Sequence, residues 1–350
     1  MAMAINSAGM LDLDFLVPSA LVDPSLASDL LRDQTLPALA RIASRAGSIE
    51  TFELPPHASP TAWQATIFGV ESNVAELWAM ACGLAPSADG RRFLAEPAHF
   101  KVANDHLRLD DPHDLDVTLA EARALATAIA PVLAEAGWRL APIEPATLRH
   151  WMLLRDDEAP LSAAAIDRAI GDNVAAWQPR APDAQGDPAA ALSWRRCVNE
   201  IQMMWFGDPV NEARDALGKP TINTLWLSGN GAPRPAMPQY AAIDSSLTLL
   251  TALAIAPDAR RSLESFDGFI APARHEDWSG WREQLALLEG RLVEVLRLQA
   301  TGSVGAVTLF LCGRDGAKIL RFGRRDLGRF WRDWQRAPAL AELFGEGSAA

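Results

Sequence analysis

The chain has 350 residues, 32 basic and 44 acidic side chains, and a formal net charge of −12. Hydrophobic residues make up 49% and charged residues 22%, so composition excludes a disordered chain, a collagen-like chain and a simple basic nucleic-acid coat. A chain of this length predicts roughly two domains or one large α/β domain.

The cysteines and the N-terminal region predict the compartment. Cys82, Cys197 and Cys312 are widely spaced and odd in number, which fits neither a disulfide framework nor a paired-cysteine metal site. No basic residue precedes Arg32, so no secretory signal is predicted, and the uncharged stretches are shorter than the about 20 residues that span a bilayer. We therefore expect a cytoplasmic protein with reduced thiols and no membrane partner.

Apolar periodicity predicts several elements in the first half of the chain. They are a buried strand at 15–17, a helix at 36–46, a helix at 62–84, and strands at 100–103 and 107–109 around a tight turn. Thr118 and Glu121 form a capping box, which opens a further helix that ends at Gly137.

The second half alternates helices and strands in the same way. The predictions are helices at 194–205 and 209–217, a strand at 221–227, helices at 247–255 and 278–299, strands at 304–311 and 319–322, and a helix at 327–334. This alternation predicts an α/β fold with a mixed or mostly parallel sheet flanked by helices. Residues 180–190, rich in Pro, Ala, Gly and Asp, predict either a linker between parts 1–179 and 191–350 or a long loop within a single domain.

A glycine-containing loop follows the strand at 221–227. Its residues are Ser228, Gly229, Asn230 and Gly231, with Arg234 shortly after them. Backbone N–H groups in such a turn can hold an anion, and Arg234 can add its charge. The dinucleotide pattern lacks its third glycine and the helix that should follow, so a plain strand-to-loop turn is the alternative.

A second set of polar residues surrounds the predicted helix pair. These side chains are candidates to line a ligand pocket beside an aromatic helix face: Asn199, Glu200, Asp208, Asn211 and Asn223. The alternative is structural, because Asp208 precedes a proline as a helix N-cap and Glu200 can pair with Arg196.

An acidic segment at 105–116 contains two histidines and five aspartates. Asp105, His106, Asp111 and His113 carry imidazole and carboxylate groups that can bind a divalent metal ion. The alternative is a turn and a helix start, where acidic residues complement the helix dipole.

The segment 314–336 carries eight basic and three acidic residues, a local charge of 8 − 3 = +5. Its interleaved arginines and aromatics can suit RNA stacking or an acidic partner. Leu327, Phe330, Trp331 and Trp334 have helical spacing, however, which favours a core-facing helix with a solvated arginine face. The net charge of −12 also argues against a nucleic-acid partner.

A block of residues, extending with gaps from about 97 to 235, resembles the pattern of one family, most specifically at 199–231. Its clearest part comprises Asn199-Glu200-Ile201-Gln202-Met203, Asp208-Pro209-Val210-Asn211, Arg214, Gly218, Pro220, Asn223, Trp226-Leu227-Ser228-Gly229 and Gly231. A second part comprises Asn104-Asp105-His106-Leu107 and Asp111-Pro112. On these residues the chain resembles an uncharacterised bacterial family of RpfE-type regulatory or phosphoglycerate-mutase-like proteins.

The resemblance implies kinship with cofactor-independent phosphoglycerate mutases and with the alkaline-phosphatase-like fold. Those enzymes place a metal-binding aspartate after their first strand, whereas this sequence has Pro18 and Ser19 there. Asp105 and His106 are followed by Leu107, where those enzymes commonly have glycine. We therefore expect neither the standard dinuclear metal site nor mutase activity to carry over.

Two functions remain as hypotheses. The first is a cytoplasmic regulatory or small-molecule-binding protein whose two polar sets hold a small-molecule or anionic ligand. The second is a metal-assisted phosphoryl-transfer or phosphate-ester hydrolysing enzyme with a divalent metal on the acidic segment. The sequence predicts neither the ligand nor the oligomeric state.

Overall fold

The computed structural model describes twelve stretches of the chain, which form two compact units. The described residues are 10–53, 74–84, 91–103, 106–155, 161–181, 188–229, 239–247, 250, 254–256, 258–314, 316–334 and 340–346. The first unit combines Met1–Gln64 with Met237–Ala350, and the second is Ala65–Ala236. The segment 180–190 falls within the second unit and is mostly outside the described residues, so its role as a linker stays a prediction.

The described strands, in chain order, are β1 (Leu11–Val17), β2 (Ser48–Glu53), β3 (Arg91–Ala98), β4 (Phe100–Val102), β5 (Leu107–Leu109), β6 (Arg139–Leu140), β7 (Trp151–Arg155), β8 (Thr224–Ser228), β9 (Gln239–Tyr240), β10 (Ala242–Asp244), β11 (Ala254–Ile255), β12 (Arg261–Ser265), β13 (Val304–Cys312) and β14 (Gly316–Phe322). The described α-helices are α1 (Pro24–Leu31), α2 (Pro37–Arg45), α3 (Val74–Ala81), α4 (Leu119–Glu135), α5 (Ala189–Phe206), α6 (Pro209–Ala216), α7 (Ile270–Arg274), α8 (Trp278–Thr301), α9 (Arg324–Leu327) and α10 (Leu340–Phe344). Short 3₁₀ helices include Pro112–Leu115 and Phe330–Trp334.

The first unit contains a six-stranded sheet in the order β10-β12-β1-β13-β14-β2. The four strands β10, β12, β1 and β13 are parallel, while β14 is antiparallel to both β13 and β2. Parallel strands of one sheet require crossover connections, and α8 lies in the connection between β12 and β13, the two strands that flank β1. The predicted α/β fold with a mixed, largely parallel sheet is confirmed.

The core of the first unit lies on one face of this sheet. Leu13, Phe15 and Val17 alternate along β1 and pack against apolar side chains of α2 and α8. Burial of each such side chain contributes about 1.5–3 kcal/mol. The helix α8 begins at Asp277, whose side chain accepts a hydrogen bond from the Gly280 N–H at 2.9 Å.

The second unit contains a four-stranded antiparallel sheet in the order β6-β7-β3-β8. Helices α4 and α5 cover it, and their buried side chains form one cluster with those of the sheet. The predicted capping box is confirmed, because the Glu121 N–H donates to Thr118 Oγ1 and the Thr118 N–H donates to Glu121 Oε2. The strands predicted at 100–103 and 107–109 form the hairpin of β4 and β5.

The predicted helix at 247–255 is described only in part: Leu250 is helical, Ala254–Ile255 forms a strand parallel to β9, and residues 248, 249 and 251–253 lie outside the described residues. A short apolar run fits a strand as well as a helix. The predicted helix at 327–334 is wrong. The segment 327–334 contains only the end of α9 and a 3₁₀ helix, interrupted at Gly328. Phe330 and Trp331 are 64% and 50% exposed rather than in the core.

The predicted helix at 62–84 is confirmed where it is described, as α3; residues 62–73 lie outside the described residues. Within the described part of the chain, no helix combines the length and apolar character that crossing a bilayer requires.

Candidate functional site

A cleft in the second unit is formed by β3, the 3₁₀ helix Pro112–Leu115 and the segment that precedes β7. Its volume, measured as room for the centre of a water-sized molecule, is about 20 Å³, and the cleft is partly open to solvent. Its lining residues are Glu96, Pro97, Pro112, His113, Val117, Leu148, Arg149, His150 and Ile166. A mainly apolar cleft with a few convergent polar groups is the usual form of a small-molecule site.

Strand pairing brings Glu96, His150 and Ser228 together beside this cleft. Ala95 of β3 is paired with Trp151 of β7, so the adjacent residues Glu96 and His150 come side by side. Ser228 of β8 is paired with Leu94, which places it diagonally from Glu96 on the same face of the sheet. His150, directly before β7, and Ser228 of β8 therefore both reach the carboxylate of Glu96.

Glu96 is only 5% exposed, and both of its carboxylate oxygens are hydrogen-bonded. Its Oε2 accepts from Ser228 Oγ at 2.9 Å, and its Oε1 lies 2.8 Å from His150 Nδ1. The His150 ring also stacks on Trp78 of α3, with 3.8 Å between ring centroids and 32° between planes. The imidazole is therefore held on one edge and one face.

His113, another residue of the lining, shows a similar arrangement. Its Nδ1 lies 2.8 Å from Asp111 Oδ1, and the same oxygen accepts the His113 backbone N–H at 2.9 Å. Asp111 thereby caps the 3₁₀ helix as well as orienting the imidazole. Both histidines of the cleft have a carboxylate at Nδ1.

The residues predicted to bind a metal are only partly brought together. Asp105 lies outside the described residues, and His113 is the one described member of that set that lines the cleft. Across the described ranges, no group of three or more His, Cys, Asp or Glu side chains is arranged to hold a metal ion. The donor set of a dinuclear site is therefore not formed by the described residues, and the metal assignment stays a prediction.

The first unit carries an aspartate near the position that the resemblance highlights. Asp14 lies inside β1 rather than after it, and its Oδ2 accepts from the Tyr240 hydroxyl at 3.0 Å and from Arg261 Nη1 at 3.2 Å. Burial raises the pKa of the Asp14 carboxyl, while Arg261 and Tyr240 act in the opposite direction. These bonds tie β1 to β12 and β9.

Three members of the predicted pocket-lining set have structural hydrogen bonds. Asp208 caps α6 by accepting from the Val210 N–H at 2.8 Å. Asn211 donates to the Ile222 carbonyl at 2.8 Å and accepts from the Ile222 N–H at 2.7 Å. Asn223 bonds both backbone groups of Phe100, at 2.7 and 2.9 Å. Their role in ligand binding stays a prediction.

The remaining members of that prediction are dispersed. Asn199 and Glu200 are exposed on α5 and do not line the cleft. Ser228 reaches the cleft through Glu96, and Gly229 has φ 102° and exchanges backbone hydrogen bonds with Ala163. Asn230, Gly231 and Arg234 lie outside the described residues.

Sequence reasoning missed Glu96, Arg149 and His150. Glu96 stands alone among apolar residues of the strand 93–98, and a single charge inside an apolar strand is a signal of a buried polar contact. His150 and Arg149 precede the apolar strand β7, but no residue spacing along the chain connects them to Glu96.

Comparisons with known proteins bear on the fold. No protein-family model matches the chain, and a search of curated proteins finds no significant match. Among solved structures, the PH0037 protein from Pyrococcus horikoshii is similar, with a TM-score of 0.53 and 14% identity over 91% of this chain and 92% of that one. The cofactor-independent phosphoglycerate mutase from Thermoplasma acidophilum DSM 1728 has a TM-score of 0.45 and 13% identity, over 90% of each chain. At this identity the likeness to the first structure shows a shared fold alone.

Proposed function

We propose that the protein binds a small molecule with an acidic group in the cleft of the second unit. The observation that carries the proposal is that His113, Arg149 and His150 line a single cleft. These residues come from two separate segments of the chain, and His113 belongs to the acidic segment that the sequence singles out. Ser228, from the other polar region, supports the same cleft through Glu96.

The chemistry of the lining favours an anion. Arg149 carries a permanent positive charge and forms no ion pair with a described residue. The carboxylates of Glu96 and Asp111 are already engaged by the two histidines. A carboxylate or phosphate group can therefore be held by Arg149.

An apolar wall completes the cleft. Val117, Leu148 and Ile166 line it together with two prolines. Carbon atoms of a ligand can pack on this wall, while the acidic group fixes its orientation. The expected ligand is thus a small organic acid or a phosphorylated small molecule rather than an inorganic ion alone.

Thermal unfolding with 3-phosphoglycerate and citrate as probes tests the proposal. A ligand at about 100 times its Kd stabilises the folded protein by about 2.7 kcal/mol, which raises Tm. We expect Arg149→Gln and His113→Gln to lose this rise, whereas His275→Gln, an exposed histidine of the first unit, keeps it. Absence of any rise with both probes, or a full rise in Arg149→Gln, contradicts the proposal.

We include a regulatory role and a cytoplasmic location in the proposal. The support for the former is the resemblance of the 199–231 block to RpfE-type regulatory proteins. The support for the latter is that all three cysteines are free thiols. Loss of a ligand-dependent response in cells carrying Arg149→Gln, with unchanged protein abundance, tests the regulatory part.

Metal-assisted phosphoryl transfer or phosphate-ester hydrolysis is the second candidate. The observation in its favour is that both cleft histidines have a carboxylate at Nδ1, which is common for metal-bound histidines. Elemental analysis of protein purified without chelators, with phosphate-ester assays in Mn²⁺ or Zn²⁺, tests it. No bound metal together with no hydrolysis contradicts this candidate.

A further inference from the structure

We infer that His150 is the proton-transfer residue of a catalytic site in this cleft, and that Glu96 and Ser228 are its positioning residues. The inferred activity is hydrolysis of a carboxylic ester whose acid or alcohol part carries a negative charge. The inference rests on the proposed binding of an acidic small molecule in the same cleft, and it adds turnover to binding.

The hydrogen bonds of Glu96 define which nitrogen of His150 carries the proton. Ser228 Oγ donates to Glu96 Oε2 at 2.9 Å, so the side chain of Glu96 acts as an acceptor. A carboxylate only accepts, so the contact of 2.8 Å between Oε1 and His150 Nδ1 requires a hydrogen on Nδ1. In the neutral ring, Nε2 then carries the lone pair that can accept a proton.

Packing fixes the direction of that lone pair. The ring of His150 is stacked on Trp78 and anchored at Nδ1 by a glutamate that is 5% exposed. No described residue makes a hydrogen bond with His150 Nε2, and the residue lines the cleft. A base that is oriented by a third group and belongs to the lining of a cleft has the arrangement expected of a proton-transfer residue.

A further residue of the cleft lining can contact the substrate. Arg149 lines the same cleft, where its charge can hold a negative group of the substrate. The cleft is partly open to solvent, so water can reach His150 as the attacking molecule.

The step balances with water as the only co-reactant. His150 Nε2 takes a proton from water as the water oxygen forms a bond to the acyl carbon. The ester C–O bond then breaks, the leaving alkoxide receives the proton from Nε2, and the products are an acid and an alcohol. The imidazolium that exists between these steps faces the Glu96 carboxylate, which stabilises it.

The tautomer of His150 gives a test that needs no substrate. We expect ¹⁵N NMR of the full chain labelled at histidine, assigned with His150→Gln, to show a protonated Nδ1 and an unprotonated Nε2. Glu96→Gln is expected to populate the opposite tautomer while the Tm of the protein shows that it remains folded. A wild-type His150 with the hydrogen on Nε2 overturns the inference.

Hydrolysis gives the second test, with mono-4-nitrophenyl succinate as the acidic ester, 4-nitrophenyl acetate as the uncharged one, and a chelator present. We expect faster turnover of the acidic ester, a roughly 100-fold or greater loss of kcat in His150→Gln and a roughly tenfold loss in Ser228→Ala. His275→Gln should retain the wild-type rate.

The two proposals fail in different ways. If 3-phosphoglycerate or citrate raises Tm but neither ester is hydrolysed, or if His150→Gln hydrolyses them at the wild-type rate, the catalytic inference is overturned and ligand binding stands. If the probes do not bind while His150-dependent hydrolysis is present, the stated ligand class is wrong and the catalytic residue stands.

Discussion

Arg214 and Glu121 form an ion pair in which the arginine side chain is 1% exposed, with 2.9 Å between Arg214 Nη1 and Glu121 Oε1. The same guanidinium donates to the backbone carbonyls of Pro220 and Leu115. Glu121 uses its other oxygen in the capping box with Thr118. One buried arginine therefore joins the start of α4 to the 3₁₀ helix before it and to the loop between α6 and β8.

Replacement of Arg214 should strongly destabilise the second unit. We expect Arg214→Ala to lower the free energy of unfolding by about 3–5 kcal/mol, because it leaves buried acceptors without a donor. Arg214→Lys should recover only part of this loss, since an ammonium group cannot reach three acceptors in a planar fork. Urea unfolding measures the change, with Arg195→Ala on the exposed face of α5 as the control. Equal stability of Arg214→Ala and the control would contradict the prediction.

Asp333 should make the first unit less stable in acid. Hydrogen bonds from Arg45 and Ser44 lower the pKa of the Asp333 carboxyl to about 2. A carboxyl whose pKa is lower in the folded state stabilises the protein above the unfolded pKa of about 3.9, and this contribution is lost as the pH falls toward 2.

We expect Asp333→Asn to cost about 0.5–1 kcal/mol at pH 7, because solvent screens a partly exposed pair, and to cost progressively less between pH 4 and pH 2. Urea unfolding across this pH range measures it. A cost that does not change with pH would show that the ion pair is not its source.

Replacement of Asn211 tests whether its side chain stabilises the fold or binds the ligand. Its side chain bonds the Trp205 and Ile222 carbonyls and the Ile222 N–H, all within a region where it is 3% exposed. We expect Asn211→Ala to lower the free energy of unfolding by about 2–3 kcal/mol, since buried backbone groups lose their partners. The probe affinity of the folded variant, measured by calorimetry at 10 °C, should match wild type. A selective loss of probe affinity with unchanged stability would show that Asn211 belongs to the ligand site.

Phe330 and Trp331 should contribute little to folding. Their exposed fractions are 64% and 50%, whereas Leu327 is 5% exposed and belongs to the core of the first unit. Leu327→Ala should cost about 2–5 kcal/mol, and Phe330→Ala or Trp331→Ala should stay within about 0.5 kcal/mol of wild type. Thermal unfolding of the three variants compares them directly. A large loss of stability in Trp331→Ala would show that these aromatic side chains do pack in the core.

Features that depend on residues close together in the chain were predictable from the sequence. The capping box of Thr118 and Glu121 and the Asp208 cap before Pro209 were predictable because each is a local hydrogen-bonding pattern. The strands β1 and β13 and the long helix α8 were predictable because apolar periodicity directly records which side of an element is buried. Their alternation was sufficient for the α/β class.

Which polar residues come into contact depends on strand pairing, which the sequence did not predict. Glu96, His150 and Ser228 are far apart in sequence, and they come together because β7 and β8 pair on opposite sides of β3 in one particular register. A shift of one residue would turn each of these side chains to the other face of the sheet. Likewise, the aromatic spacing at 327–334 predicts a core helix, but the pairing of Asp333 with Arg45 holds the segment by its polar side and leaves Phe330 and Trp331 in solvent. Strand register and long-range ion pairs depend on the packing of the whole unit, and they cannot be predicted from residue spacing along the chain.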